Sequence, residues 1–456
     1  MKMFIAIATV FFGSLAVSYA KEDSSQVTLD VSPMHSTLRA DQKQTTWIRV
    51  GFEGFQIKTK QKRAPVNLAI VLDKSGSMSG EKITQARRAA IDAIELLGSD
   101  DIISIVTYDT TVSVLVPATK MTDREMIVKA INSIQASGNT ALFAGVSKGA
   151  AEIRKFLDKE RVNRIVLLSD GLANSGPSTP GELGALGASL LKENISVSTL
   201  GLGLSYNEDL MVRLASKSGG NHHFIENATE LADIFRREFE DVMSVVAQEI
   251  DVKVQVAEGV RPVRVLGNAS DINGQQIVTR LAQIYSNQKK HLVIEVEIPA
   301  SEVDSRRELA NVSVSYTNMK SGVTDRLSNN ASVRFSNTAS EIEKSLNQSV
   351  KADVVALISS ENNKLATKYL DEGNVMRCRE VLQENVDYLK ANGVLLGNDK
   401  RLKELEVQNG GQLNQLMDVS GNTDSRAQSA RKSQLYLQNA IDQQQLSLPA
   451  SALSSP

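Results

Sequence analysis

The chain has 456 residues, of which 41% are hydrophobic, enough for sizeable cores in two or three domains. Its formal net charge is −2 with acidic and basic residues interspersed, which argues against an extended polyanion-binding surface, so we expect no nucleic acid partner. The single cysteine excludes internal disulfide bonds as a source of stability.

Residues 1–20 have the pattern of a signal peptide. One lysine precedes the apolar run 3–17, and Ser18 and Ala20 supply the small residues of a cleavage site. The run is shorter than the ~20 residues that a transmembrane helix needs, which disfavours an uncleaved anchor. We expect export with cleavage after Ala20 and no transmembrane segment in the mature chain. Few cysteines and no lipid-attachment site favour a periplasmic location over secretion or the cell surface.

Residues 21–62 alternate between apolar and polar side chains, most clearly at 27–31 and 45–50. This alternation predicts two or three half-buried strands. So few strands cannot form a stable sheet alone and need partners elsewhere in the chain. The basic stretch 57–65 is interpreted as an exposed connection.

Residues 63–247 alternate between short apolar runs and helical patterns. Strands are predicted at 66–72, 102–108, 112–116, 164–169, 196–201 and 222–225. Helices are predicted at 81–97, 123–134, 141–157, 180–193, 207–217 and 229–246. The alternation indicates an α/β fold with a doubly wound, mostly parallel six-stranded sheet. The second and third strands are too close for a crossover and therefore form an edge hairpin.

Polar residues follow two of these strands and precede one helix. Asp73, Ser75 and Ser77 leave the first strand, Thr140 stands just before the third helix, and Asp170 ends the fourth strand. Ligands of open α/β sheets lie at this edge. Carboxylates and hydroxyls are hard oxygen ligands and suit a hard divalent cation. Helix capping is the alternative reading of each stretch taken alone.

The three stretches read DKSGS at 73–77, SGNTAL at 137–142 and DG at 170–171. They resemble the von Willebrand factor A (VWA) domain family, whose metal-ion-dependent adhesion site reads D-x-S-x-S, then T, then D-G. The segment GLGLSYN at 201–207 is similar to family members of the bacterial and inter-alpha-trypsin-inhibitor heavy-chain type.

The resemblance implies that Asp73, Ser75, Ser77, Thr140 and Asp170 hold a metal, with Mg²⁺ favoured over Mn²⁺ or Ca²⁺ by availability alone. It also implies a protein partner that supplies an Asp or Glu carboxylate to complete the metal's coordination shell.

Residues 248–337 return to alternation, in short runs at 252–256, 263–265, 276–281, 291–296, 311–316 and 331–335. These predict an antiparallel β-sandwich that the N-terminal strands complete, with the VWA domain inserted between its halves. Residues 338–442 predict a helical region with a helix hairpin that turns at 371–374 and further helices at 400–417 and 426–441. The Ser-, Gln- and Pro-rich tail 443–456 is expected to be disordered.

Two further features have structural interpretations. Cys378 lies in a helical pattern and is expected to be a half-buried small apolar residue, with an intermolecular disulfide as the alternative. His222 and His223 are adjacent in a predicted strand and point to opposite faces, so they cannot jointly bind one zinc ion.

The preferred function is that of an exported, non-enzymatic adhesion or assembly protein that binds its partner through a metal. A metal-dependent hydrolase is an alternative, against which stand the missing general base and the missing second metal cluster. A scaffold with a non-functional metal site is the other alternative.

Overall fold

The computed structural model describes residues 25–57, 63–419 and 421–444, so the predicted signal peptide and nearly all of the predicted tail lie outside the described residues. Within them the chain forms sixteen strands and eleven α-helices. They make up an α/β domain, a β-sandwich and a group of C-terminal helices, which is the expected fold class. No helix of the described part has the length and apolar character required to cross a bilayer.

Three strands open the described chain: β1 (Val27–Pro33), β2 (Thr37–Arg39) and β3 (Gln44–Gly54). β1 and β3 pair antiparallel over the whole length of β1. Alternate residues of β3, namely Ile48, Val50 and Phe52, are buried, as the predicted half-buried strand requires.

The α/β domain contains one six-stranded sheet. Its strands are β4 (Val66–Asp73), β5 (Ile102–Tyr108), β6 (Val112–Lys120), β7 (Val162–Ser169), β8 (Ile195–Leu202) and β9 (His222–Ile225). Their order in the sheet is β6-β5-β4-β7-β8-β9, and only the edge pair β5–β6 is antiparallel. Every residue of β4, β5, β7 and β8 is buried, because helices cover both faces.

Six helices flank this sheet: α1 (Glu81–Ile94), α2 (Arg124–Asn132), α3 (Leu142–Arg154), α4 (Pro180–Lys192), α5 (Glu208–Ser218) and α6 (Leu231–Met243). They enclose two apolar cores, one on each face. All twelve predicted strands and helices of the domain are confirmed in type and order. Three predicted helix ends extend three residues too far, because the helices end at Ile94, Arg154 and Met243. Residues 245–246 instead begin the next strand, which pairs with the sandwich.

The sandwich strands are β10 (Val245–Val256), β11 (Arg261–Leu266), β12 (Asp271–Asn273), β13 (Gln276–Tyr285), β14 (Lys289–Ile298), β15 (Arg306–Asn318) and β16 (Thr324–Ser336). One sheet has the order β1-β3-β14-β11 and the other β12-β13-β10-β15-β16-β2. The N-terminal strands thus pair with strands that follow the α/β domain. The short β2 pairs with β16 in parallel, which departs from the predicted antiparallel pattern.

The C-terminal helices are α7 (Ala339–Lys344), α8 (Gln348–Asp371), α9 (Val375–Leu395), α10 (Lys400–Gln415) and α11 (Ser425–Gln443). α8 and α9 form the predicted hairpin. Its turn contains Gly373, whose φ of 76° favours glycine, and the Asn374 side chain caps α9. Cys378 is fully buried in the core of this region. α11 extends through Gln443, one residue into the predicted tail.

A buried network around Arg164 joins the α/β domain to the sandwich. Arg164 of β7 and Glu238 of α6 lie 3.0 Å apart, and neither side chain has any solvent exposure. The guanidinium also donates to Ser198 (2.6 Å), Gln283 (2.5 Å) and the Tyr285 hydroxyl (2.9 Å). Because Gln283 and Tyr285 belong to β13, the network fixes the α/β domain against the sandwich.

The last helix fixes the same domain from another side. The Lys432 ammonium of α11 donates to the carbonyl oxygen of Tyr206 at 2.8 Å, pairs with Glu208 and lies 4.0 Å from the centre of the Tyr206 ring. Arg431 bonds Glu208 and Asp371. Since Tyr206 precedes α5, α11 holds the β8–α5 loop, which lies at the carboxyl edge of the parallel strands.

Candidate metal centre

The loop after β4 is shaped by Asp73 itself. Its Oδ1 accepts the Ser75 backbone N–H at 2.8 Å, and its Oδ2 accepts the Ser169 hydroxyl at 2.7 Å. A short 3₁₀ turn at Gly76–Met78 follows, and Met78 is buried in the apolar core. The carboxylate is therefore fixed by its own loop and by the end of β7, and the next residues must turn back across the edge of the sheet.

The two serines of this loop face the end of β7. Ser75 and Ser77 have their hydroxyl oxygens 3.1 Å apart, and the Ser77 hydroxyl donates to Asp170 Oδ1 at 2.6 Å. Asp170, like Asp73, is completely buried. Two carboxylates from different strands and two hydroxyls from one loop thus meet at the carboxyl edge of β4 and β7.

Thr140 completes the group from the loop before α3. A Cβ placed on Gly171 would lie 3.1 Å from the Thr140 Oγ1, 3.4 Å from the Ser77 Oγ and 4.0 Å from the Ser75 Oγ. The three hydroxyls therefore converge on the space beside Gly171, which any larger residue would fill. All five residues predicted for the site lie together.

The composition of this group fits a hard divalent cation. Two carboxylates and three hydroxyls offer only oxygen donors, and the three hydroxyls lie around the position that a side chain at residue 171 would occupy. Within the described ranges no three His, Cys, Asp or Glu side chains are placed to hold a metal, so a cation at this site depends on the hydroxyls as well as on the two carboxylates. These residues could therefore hold Mg²⁺, Mn²⁺ or Ca²⁺ through oxygen ligands.

The Asp73 carboxylate and the nearby Tyr108 hydroxyl are both buried and hydrogen-bonded. Burial raises the pKa of Asp73, against the opposing effect of its hydrogen bonds from Ser75 and Ser169. The Tyr108 hydroxyl beneath the site donates to the carbonyl oxygen of Leu168 at 3.0 Å. Burial raises the pKa of Tyr108 well above its usual value, so it acts as a neutral hydrogen-bond donor.

Several neighbours of the site were not predicted from the sequence. Lys82 pairs with Asp170, its ammonium 2.5 Å from Oδ2. Asn174 fixes Thr140, because its Oδ1 accepts the Thr140 N–H at 2.9 Å. Their only sequence signal is proximity: Lys82 follows the DKSGS loop, and Asn174 follows the DG pair.

An ion pair between Lys74, which follows β4, and Asp109, which follows β5, connects two loops near the site. The Ser137 hydroxyl donates to Asp109 at 3.1 Å, and the Ser137 N–H donates to the carbonyl oxygen of Lys74 at 2.6 Å. Gly138 must be glycine, because its φ is 76° and a Cβ would lie 2.8 Å from the Thr110 hydroxyl. The loop that carries Thr140 is thereby held against the DKSGS loop.

His222 and His223 contact different groups. His222 is fully buried, with Nδ1 2.9 Å from the Thr199 hydroxyl and Nε2 3.4 Å from the Tyr206 hydroxyl. His223 Nε2 lies 3.3 Å from Glu238 instead. The side chains thus point apart, as predicted.

Residues 67–237 match the family model of the von Willebrand factor type A domain. The protein sll0103 of Synechocystis is 26% identical over 332 residues, 71% of this chain and 78% of that protein. YfbK of Escherichia coli is 31% identical over 192 residues, 42% of this chain and 33% of YfbK. Inter-alpha-trypsin inhibitor heavy chain H3 of the rat is 30% identical over 177 residues, 37% of this chain and 20% of the heavy chain. The matches thus span a third or less of YfbK and of the heavy chain.

Among solved structures, the von Willebrand factor type A protein from Catenulispora acidiphila has the same fold, with a TM-score of 0.69 and 15% identity. It covers 86% of this chain, and this chain covers 89% of it, so the likeness includes the sandwich and the helices as well as the α/β domain. The α/β domain of this chain is a von Willebrand factor type A domain.

Proposed function

We propose that this protein binds a partner protein through a divalent cation held by Asp73, Ser75, Ser77, Thr140 and Asp170. VWA domains typically mediate metal-dependent protein interactions, which supports the general class. The observation that carries the proposal is that three hydroxyls converge beside Gly171, while the same loop hydrogen-bonds both carboxylates, Asp73 through the Ser75 N–H and Asp170 through the Ser77 hydroxyl.

The chemistry of the group explains why the partner would contribute a carboxylate. Three of the five donors are neutral hydroxyls, so the bound cation would remain electrophilic and accept an acidic ligand from outside. Asp73 is positioned by hydrogen bonds from Ser75 and Ser169, and Ser77 orients Asp170. The partner would then supply an Asp or Glu, and Mg²⁺ is the proposed cation because of its availability.

We further propose that the chain is exported and acts in the periplasm, as an adhesion or assembly factor. The signal-peptide pattern of residues 1–20 supports export. The single cysteine, buried in α9, leaves no internal disulfide, and this sparse use of cysteine supports the periplasm among the exported locations.

The test is a series of thermal melts of the full mature chain in EDTA and then with Mg²⁺, Mn²⁺ or Ca²⁺. A cation that binds only the folded chain at ten times its Kd adds about 1.4 kcal/mol to the free energy of unfolding. We expect this rise in the wild type and in Ser79→Ala, and its loss in Ser77→Ala and Asp73→Ala. Ser79 is the matched control, because its hydroxyl lies in the same loop but donates to the carbonyl oxygen of Gly76 at 2.8 Å. A wild type with no response to any of the three cations would refute the metal site.

A further inference from the structure

The Lys82 side chain pairs directly with Asp170, one of the proposed metal ligands. It lies in the first turn of α1, and its ammonium is 2.5 Å from Asp170 Oδ2, while the Ser77 hydroxyl occupies Oδ1 at 2.6 Å. The Lys82 side chain is 34% exposed and that of Asp170 is fully buried. Both oxygens of Asp170 are therefore satisfied by the protein itself.

The backbone directs Lys82 to this place. α1 begins after Gly80, whose φ of 80° and ψ of −126° turn the chain sharply after the DKSGS loop. A Cβ on Gly203 would lie 4.0 Å from the Lys82 ammonium. The ammonium thus lies between the site's carboxylate and the β8–α5 loop, on the solvent side of the group.

We propose that Lys82 is a tethered counter-ion that competes with the divalent cation for Asp170 and keeps metal binding weak and reversible. This inference rests on the proposed function and concerns the regulation of the same site. Without metal, Lys82 neutralises a carboxylate that would otherwise be buried and unpaired, so the empty site remains folded. When a divalent cation enters, the two positive charges repel each other across the same carboxylate, which lowers the affinity for the cation.

Lys155 offers a matched comparison away from the site. It is also partly exposed and also pairs with a buried carboxylate, but that carboxylate is Glu152, which is not among the five proposed ligands. Removal of Lys155 therefore tests for a general change of charge, and removal of Lys82 tests for competition at Asp170.

The experiment is a calorimetric titration of the metal-free mature chain with MnCl₂ or MgCl₂ alone, in the wild type and four variants. Lys82→Met and Lys82→Gln remove the charge, Lys82→Arg keeps it, and Lys155→Met is the control. We expect the charge-removing variants to bind metal about 10-fold more tightly, which equals about 1.4 kcal/mol. Lys82→Arg and Lys155→Met are expected to stay within about 3-fold of the wild type.

Thermal melts of the same proteins give a second readout. Lys82→Met is expected to unfold at a lower temperature than the wild type in EDTA and at a similar temperature in saturating metal, because the divalent cation replaces the missing counter-ion. A neutral variant that binds metal no more tightly than the wild type would overturn the inference and leave the metal site standing. If none of the five proteins binds metal, the proposed function itself is wrong, and this inference falls with it.

Discussion

The buried network of Arg164, which pairs with Glu238 inside the VWA domain and bonds β13 of the sandwich, provides the sharpest test of how the domain is held. Both side chains are fully buried, and Glu238 also accepts hydrogen bonds from Ser198 and from Asn221. Burial alone would raise the pKa of Glu238, but Arg164 holds it at about 2. In Arg164→Met the carboxylate would remain buried without its cation, which is expected to cost about 3–5 kcal/mol of unfolding free energy at pH 7.

The assay is urea unfolding followed by two probes. Trp47 is the only tryptophan and lies in β3, so its fluorescence reports the sandwich, while far-UV circular dichroism is dominated by the helices. We expect coincident transitions in the wild type and an earlier circular-dichroism transition in Arg164→Met, because the network also joins β7 to β13.

The control is the double variant Arg164→Met/Glu238→Gln, which removes both charges and keeps an amide for the hydrogen bonds. It is expected to recover at least ~2 kcal/mol relative to Arg164→Met. A loss below ~1 kcal/mol in Arg164→Met, or a double variant no more stable than the single one, would refute the reasoning.

Three further predictions concern the site, the pH response and the last helix. Gly171→Ala would place a methyl group 3.1 Å from the Thr140 hydroxyl, so the metal-induced rise in melting temperature should vanish while the melt in EDTA changes little; an unchanged metal response would contradict this. Burial lowers the pKa of His222 to about 3, whereas the unfolded chain takes up this proton near 6.5, so stability is lost as pH falls from 6.5 towards 3, by about 1.4 kcal/mol per unit. Urea titrations between pH 7 and 5 measure how the free energy of unfolding changes with pH. His222→Gln should reduce that slope by up to one proton as the pH approaches 5, and an identical slope would count against the prediction. Lys432→Met removes a buried ammonium from Glu208 and should cost about 2 kcal/mol, an expectation that an unchanged unfolding midpoint would contradict.

The site could be predicted from the sequence because its parts follow predictable elements. Asp73 and Asp170 end two buried parallel strands, and the carboxyl ends of such strands meet at one edge of the sheet. Thr140 stands just before α3, a helix whose predicted start is correct to within one residue. The local sequence pattern was therefore enough to predict that all five residues lie close together.

The contacts that hold the domains in place were not predictable in the same way. Arg164 directly precedes the apolar run of β7, a visible signal, but its partner Glu238 is 74 residues away and nothing local indicates the pairing. α11 is rich in polar residues, and its docking depends on Lys432 reaching the carbonyl oxygen of Tyr206, 226 residues earlier. Single long side chains that meet across the fold leave no periodic pattern in the sequence.

The insertion of the VWA domain into the sandwich has a mechanical consequence. β3 leads towards the domain and β10 leads out of it, and each is an inner strand of a different sheet, flanked on both sides. A force on the edge of the sheet that carries the candidate site would therefore load two strands at once, one in each layer of the sandwich. Neither strand can slide along its neighbours unless many backbone hydrogen bonds break at the same time. The topology thus divides a load on the VWA domain between two anchors, one in each sheet of the sandwich.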